Sequence, residues 1–192
     1  MALRVIAGEF GGRVLQSTRG RGTRPLRGEV REALFNVLGD RLADARVWDL
    51  FAGTGCTGIE ALSRGAKHVA FVEKSNQALA VLRENIALLG GSATERAEVM
   101  KGDAWDPMIE GDAPDLIFLD PPYQAVAEDP VRSACRAAEL ASRLAPEGAV
   151  CFHFEEGVLD EDDFDNDLAV ELRNWGRTTI ALIQRRLSPV DC

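Results

Sequence analysis

Histidine and tyrosine are scarce in this chain of 192 residues, which has only His68, His153 and Tyr123. The four cysteines (Cys56, Cys135, Cys151, Cys192) stand far apart, with no Cys-x-x-Cys pair. Ligands this few and this dispersed encode neither a disulfide framework nor a zinc site, so no metal is expected. Cys56 lies beside a glycine loop, but no histidine neighbours it in sequence to activate a thiol, and a small loop residue is the expected role. No apolar run approaches the roughly 18 residues of a membrane span. The opening MALRVIAGEF has arginine and glutamate where a signal peptide carries its apolar core, so a cytoplasmic location without membrane contact is expected. What remains is a globular composition, 46% hydrophobic and 28% charged, in a chain long enough to bury one sizeable core.

Basic residues are also short overall, and the net charge is −9. They are not spread evenly. Residues 1–31 hold Arg4, Arg13, Arg19, Arg21, Arg24, Arg27 and Arg31 against Glu9 and Glu29, a net of +5 that leaves −14 for the remainder. Scattered arginines usually mean only a solvated surface. Here they interleave with glycine in STRGRGTRPLRG, where there is little apolar content to bury, so phosphate contact is the better reading.

The periodicities divide the chain into elements. Leu3–Gly8 and Arg13–Gln16 are short β-like runs joined by Glu9-Phe10-Gly11-Gly12, which predicts a hairpin. From about Gly28 to Leu38 the spacing of Val30, Leu34, Val37 and Leu38 predicts a helix with Arg27 and Arg31 off its apolar face, stopped by Gly39. Strands and helices then alternate, as in a parallel α/β sheet. Strands are expected at 47–51, 68–72, 97–101, 116–119 and 149–154. Helices are expected at 57–64, at 75–89 with Ala78, Leu79, Leu82, Ile86 and Leu89 inward, and at about 130–144 with Val131, Cys135, Ala138 and Leu144 inward. The stretch 155–167 has eight acids and no base, which predicts an exposed loop or ragged helix. Two last strands, near 168–174 and 178–186, turn about Asn174-Trp175-Gly176-Arg177.

The loop Asp49-Leu50-Phe51-Ala52-Gly53-Thr54-Gly55-Cys56-Thr57-Gly58 leaves the first parallel strand and enters a helix, the place where such sheets bind nucleotide cofactors. Gly53, Gly55 and Gly58 spell G-x-G-x-x-G, a weak signal alone. Glu73, ending the second strand, is placed to accept ribose hydroxyls. Both a dinucleotide and S-adenosylmethionine satisfy this pattern. Asp49, four residues before the first glycine, suits the ammonium of a methionine moiety and would repel a pyrophosphate. Asp103 in Lys101-Gly102-Asp103-Ala104-Trp105 is a candidate for an adenine amino group or, equally, a helix N-cap.

Asp120-Pro121-Pro122-Tyr123 follows the apolar run Leu116–Leu119. Proline offers no N–H, so two in succession present carbonyls that only accept. Asp120 and the Pro121 carbonyl suit the two donors of a nucleobase NH2, and Tyr123 offers a face for the base to stack on. The plain alternative is a strand followed by a proline-rich turn.

Taken together these residues resemble a known family. DLFAGTG is similar to motif I of the class I S-adenosylmethionine methyltransferases, Val72-Glu73-Lys74-Ser75 to their second-strand acid, and DPPY to the motif of those that methylate exocyclic amines. RVIAGEFGGRVL, TRPLRGEVREALFNVL, IEALSRGAKHVAFVEK and the GRTTIALIQR ending resemble the RsmD-type bacterial methyltransferases, which act on guanine N2 of 16S ribosomal RNA. The resemblance implies a Rossmann-like α/β fold, with a seven-stranded, mostly parallel sheet of order 3-2-1-4-5-7-6. A basic β-hairpin arm over 1–27 would precede a methyltransferase domain over 28–192. It implies a cofactor site of Asp49, Phe51, Gly53, Gly55, Glu73, Lys74, Asp103, Ala104 and Asp120, and a catalytic site of Asp120, Pro121, Pro122 and Tyr123. Arg13, Arg19, Arg21, Arg24 and Arg27 would contact RNA. The partner would be ribosomal RNA or the small-subunit particle, met by a monomer. Position 175 departs from the pattern, being tryptophan where relatives commonly have tyrosine, and the acidic stretch has no counterpart role. Competing readings are an N6-adenine methyltransferase on DNA or RNA, a dinucleotide-dependent oxidoreductase and a cofactor-binding module without catalysis.

Replacing Arg19, Arg21 and Arg24 together with alanine is expected to weaken RNA binding and to make the dependence of log affinity on log salt shallower by roughly 2. Fluorescence anisotropy across a salt series reads both, and an unchanged slope would make the arm purely structural.

Overall fold

The computed structural model describes residues 3–18 and 26–186. Its sheet has the strand order expected, 3-2-1-4-5-7-6. Contacts divide the chain into two compact units, Met1–Gly111 and Asp112–Cys192.

In the first unit, β1 (Arg46–Leu50) pairs in parallel with β2 (His68–Glu73), and β2 with β3 (Ala97–Lys101). α1 (Gly28–Leu38), α2 (Cys56–Ser63), α3 (Asn76–Leu89) and the short α4 (Gly91–Glu95) complete it. β1 and β2 are apolar and buried along nearly their full length, which is why they read as continuous rather than alternating runs. α3 starts at an N-cap, where Ala78 N–H donates to Ser75 Oγ (3.3 Å). Its inner face takes Ala78, Leu79, Leu82, Asn85 and Ile86; Leu89, expected inward, is the last residue of the helix and is half-exposed.

Residues 3–16 belong to this unit because three polar side chains remote in sequence hold them. Glu60 on α2 is fully buried; Ile6 N–H donates to its Oε2 (2.7 Å), and Ala7 N–H (3.1 Å) and Arg64 Nε (2.7 Å) donate to its Oε1. Ser63 Oγ accepts from Phe10 N–H (2.9 Å) and donates to the Ala7 carbonyl. Asn85 Oδ1 accepts from Gln16 N–H (2.7 Å), while Nδ2 donates to the carbonyls of Gln16 (3.0 Å) and Thr54 (2.9 Å). Gly8 is required where the segment crosses α2: its φ is +81°, and a Cβ there would lie 1.9 Å from the Ser63 carbonyl oxygen. The predicted hairpin is present as a short ladder about the antiparallel bridge of Arg4 with Val14, in which Val5 N–H donates to the Arg13 carbonyl (3.0 Å), Gly12 N–H to the Val5 carbonyl (2.9 Å) and Leu15 N–H to the Leu3 carbonyl (2.8 Å), while the next amides, of Ile6 and Ala7, are taken by Glu60 on α2. Arg31, expected off the buried face of α1, is buried, with Nη2 donating to the Arg4 carbonyl (2.7 Å). The N-terminal segment covers the flank that the periodicity assigns to solvent.

In the second unit, β4 (Leu116–Leu119) pairs in parallel with β5 (Ala149–Glu155). β7 (Thr178–Arg185) is antiparallel to β5 and to β6 (Leu168–Trp175). Gly176, with φ +64°, makes the turn between the last two strands. α5 (Tyr123–Glu128) follows the DPP run directly, and α6 (Pro130–Ser142) begins with proline after Asp129, whose side chain accepts from Arg132 N–H (3.1 Å). Of the residues expected inward around α6 only Leu144, just past its end, is buried. Ser133, Ala134, Ala137, Leu140 and Ala141 are buried, whereas Val131 and Cys135 are exposed and Ala138 is half-exposed. The helix lies on β5 and β7 through its small residues, so side-chain bulk was a poor guide to the buried side. In the acidic stretch Leu159 and Phe164 are buried on either side of a 3₁₀ turn (Glu161–Asp163), and the acids face outward. Among the described residues no helix is long and apolar enough to cross a membrane.

Glu60→Ala leaves two amides and a guanidinium without their buried acceptor, at an expected cost of about 2–4 kcal/mol. Urea denaturation measures it, and limited proteolysis should show the first sixteen residues cut earlier than in the wild type.

Candidate active site

At the end of β1 the backbone turns through Phe51 (φ 60°), Gly53 (φ 55°) and Gly55 (φ 82°) before α2 begins. Left-handed backbone is free for glycine but costs a bulky residue of order 1–3 kcal/mol, so Phe51 is held there by its surroundings. Those surroundings are carboxylates that receive loop amides. Asp49, buried, accepts from Gly58 N–H through Oδ2 (2.8 Å). Glu73 accepts from Gly53 N–H at Oε2 (2.9 Å) and from Ser75 N–H at Oε1 (2.8 Å), and remains half-exposed, with lone pairs to spare for other donors. At Gly58 a Cβ would fall 2.3 Å from the Phe71 ring and 2.8 Å from Asp49 Oδ2, and at Gly55 2.2 Å from Leu82 Cδ1. The third and second glycines therefore serve close packing beneath the loop. At Gly53 a Cβ would meet only the Phe51 carbonyl oxygen, 3.9 Å away in ordinary contact, so this glycine serves the turn. Among the described residues the buried Thr54 hydroxyl of this loop has no hydrogen-bond partner.

Asp103 follows β3 and is exposed; Trp105 N–H donates to its Oδ1 (3.0 Å), closing a turn. No helix starts at Ala104, so the N-cap reading fails for want of a helix to cap. Ala104 is buried, Lys74 is exposed, and Trp105 meets Phe51 edge to face with ring centres 5.1 Å apart. The aromatic pair thus joins the β3 turn to the strained loop position.

In the second unit the half-exposed Asp120 ends β4. The Pro122 carbonyl accepts from Ala125 N–H (2.9 Å) as α5 begins, so it is not available as an outward acceptor. Among the described residues the Pro121 carbonyl accepts no hydrogen bond. Asp120 Oδ1 is hydrogen-bonded to His153 Nδ1. His153 Nε2 is 2.8 Å from the Tyr123 hydroxyl, which in turn lies 3.0 Å from Thr178 Oγ1. The Tyr123 and His153 rings meet edge to face at 5.0 Å. Four residues from β4, α5, β5 and β7 form one connected polar chain.

With this geometry in view the comparisons are decisive. The family model described as "Conserved hypothetical protein 95" matches residues 3–184. A Bacillus subtilis protein named "Putative rRNA methyltransferase YlbH" is 30% identical over 188 residues, which cover 96% of this chain and 100% of that protein. The Haemophilus influenzae ribosomal RNA small subunit methyltransferase D is 36% identical over 137 residues, 69% of this chain and 70% of the relative. The solved structure titled "Putative methyltransferase yhhF from Escherichia coli" matches with a TM-score of 0.77 at 27% identity, covering 98% of this chain and 100% of that one. The chain belongs to the RsmD-type methyltransferase family.

For an RsmD-type methyltransferase the predicted residues sort into two groups. The first unit gathers Asp49, Phe51, Gly53, Gly55 and Glu73 about one loop and links Phe51 to the Asp103 turn through Trp105. The second unit holds Asp120, Pro121, Pro122 and Tyr123. Arg13 and Arg27 are exposed, while Arg19, Arg21 and Arg24 lie outside the described residues. Sequence reasoning missed Asn85, which ties Gln16 to the glycine loop, and His153, an unremarked polar residue in an apolar strand. For His153 the signal was present: a histidine amid Val150, Phe152 and Phe154 needs buried partners for both ring nitrogens.

Gly58→Ala is expected to push Phe71 and Asp49 aside, costing about 1–3 kcal/mol and lowering Tm by several degrees. Gly53→Ala makes no clash, its Cβ lying 3.9 Å from the Phe51 carbonyl oxygen, and is strained only through its backbone, so differential scanning calorimetry should rank it milder.

Proposed function

We propose that this protein methylates the exocyclic N2 amine of a guanine in small-subunit (16S) ribosomal RNA, with S-adenosylmethionine as donor. The observation that carries the reading is the acceptor pair at the end of β4: Asp120 beside a Pro121 carbonyl that accepts no hydrogen bond among the described residues. Two acceptors match the two N–H donors of an aromatic amine. The base and the RNA class come from the family and from the name of the Haemophilus influenzae relative.

The residues of the glycine loop fit the donor. An orphaned Thr54 hydroxyl, Glu73 with lone pairs to spare and an exposed Asp103 carboxylate provide the polar partners that an ammonium, ribose hydroxyls and an adenine amine need. Asp49 would act from beneath, fixing the loop through Gly58 and adding negative charge under the methionine end. Phe51, Lys74 and Ala104 would border the nucleoside. When bound, S-adenosylmethionine supplies an electrophilic methyl group on a sulfonium sulfur. Asp120 and the Pro121 carbonyl orient the amine so that its nitrogen lone pair leaves conjugation with the ring. The Asp120 carboxylate then stabilises the positive charge that builds on nitrogen as the N–C bond forms, and takes up the N–H proton or passes it to water. The Tyr123 ring gives the displaced base a surface. Arg13 and Arg27, with Arg19, Arg21 and Arg24, position the RNA by its phosphates.

Mass spectrometry of nucleosides from 16S RNA of cells with and without the gene tests the reading directly. N2-methylguanosine should fall by one residue per RNA in the deletion, and loss of N6-methyladenosine instead would overturn the choice of base. In vitro, Asp120→Ala is expected to cut turnover by about 100-fold.

A further inference from the structure

We propose that His153 is a positioning residue for methyl transfer, a lock that delivers a hydrogen bond to Asp120 Oδ1 and so fixes the other carboxylate oxygen for the amine. The inference rests on the amine-holding role given to Asp120 above.

The imidazole is 7% exposed and sits in a strand whose neighbours Val150, Phe152 and Phe154 are buried. A polar ring in such a place is unfavourable unless both nitrogens are satisfied, and both are. The senses of the bonds follow from what each group is able to do. An ionised carboxylate only accepts, which puts a proton on His153 Nδ1. With the imidazole in its neutral form, Nε2 carries a lone pair and the Tyr123 hydroxyl donates to it. That leaves the tyrosine oxygen to accept from Thr178 Oγ1–H. Every bond in the chain runs the same way, from Thr178 through Tyr123 and His153 to Asp120, and aligned bonds of this kind polarise one another.

The arrangement has consequences for the reaction. Among the described residues His153 is the hydrogen-bonding partner of Asp120 and uses only Oδ1. Rotation of the carboxylate is arrested while Oδ2 stays available. The lock is built from rigid elements, with His153 in mid-strand opposite Ile180 and Thr178 at the start of the adjoining β7. Tyr123 gains a second duty: besides its ring, its hydroxyl reaches Asp120 indirectly, by setting the tautomer of the histidine between them.

Three variants and one spectrum test this. His153→Leu removes both bonds and should lower kcat by about 10- to 100-fold, with KM for RNA and cofactor affinity unchanged. His153→Asn places an amide donor near the Nδ1 position but nothing at Nε2, and should recover most of that loss. Tyr123→Phe should lower kcat in the wild-type background and have no further effect in the His153→Asn background, because its hydroxyl has lost the nitrogen through which it acts. Equal losses in the leucine and asparagine variants, or full activity of Tyr123→Phe, overturn the proposal. The spectrum is independent of turnover. In ¹⁵N-histidine-labelled protein carrying His68→Gln, the remaining histidine should show the Nδ1–H tautomer with a deshielded Nδ1 proton. That proton should move upfield in Asp120→Ala, and the Nε2 resonance should shift in Tyr123→Phe. RNA methylation with an Nε2–H tautomer defeats the lock and leaves the function standing. An Nδ1–H tautomer in a protein that methylates no RNA defeats the function and leaves the lock.

Discussion

The hydrogen bond from the Gly58 amide to the buried Asp49 carboxylate is the interaction on which the first unit depends. β1 must give way to α2 within a few residues, and the backbone does so by three left-handed positions in five, one of them a phenylalanine. Such a turn strips amides of their regular partners in a place where water is excluded. A carboxylate inside the strand supplies the acceptor, and its burial is tolerable because the helix start offers N–H groups with favourable dipoles. Glu73 does the same from the neighbouring strand, and Asn85 secures the Thr54 carbonyl from α3. Three side chains from three elements thus hold one loop against its own strain.

The second unit solves a different problem with similar means. There the acid that matters is half-exposed at a strand end, and precision comes from a file of polar groups behind it rather than from backbone amides. The prolines contribute by subtraction: with no N–H at Pro121 or Pro122, nothing from the turn competes for Asp120, and α5 takes only the second carbonyl. What remains outward is a pair of acceptors.

Much of this was legible in the sequence, and the reasons for the gaps are physical. Strands buried on both faces announce themselves as apolar runs, and the glycine loop and the DPPY run are short enough for their backbone chemistry to be read residue by residue. The order of the sheet came from family resemblance, since periodicity carries no information on which strands adjoin. Buried polar residues were the systematic blind spot. Glu60, Asn85, Arg31 and His153 look like surface residues in a one-dimensional reading, yet each is enclosed because a distant segment brings it a partner. The inner face of α6 failed for the opposite reason: alanine and serine give a weak signal, though they permit the closest approach of helix to sheet.

The anchoring of the N-terminal segment also bears on the order in which the molecule is made. Its hydrogen bonds to Glu60, Ser63 and Asn85 span 53 to 69 residues of sequence, and closing loops of that length precedes any gain from the contacts they enable. On the ribosome, residues 3–16 emerge ahead of α2 and α3 and have nothing to dock against until both have followed them out. Made before its partners, the segment is therefore fixed only after them, and its basic neighbourhood spends that interval beside the RNA-rich surface on which every chain is born.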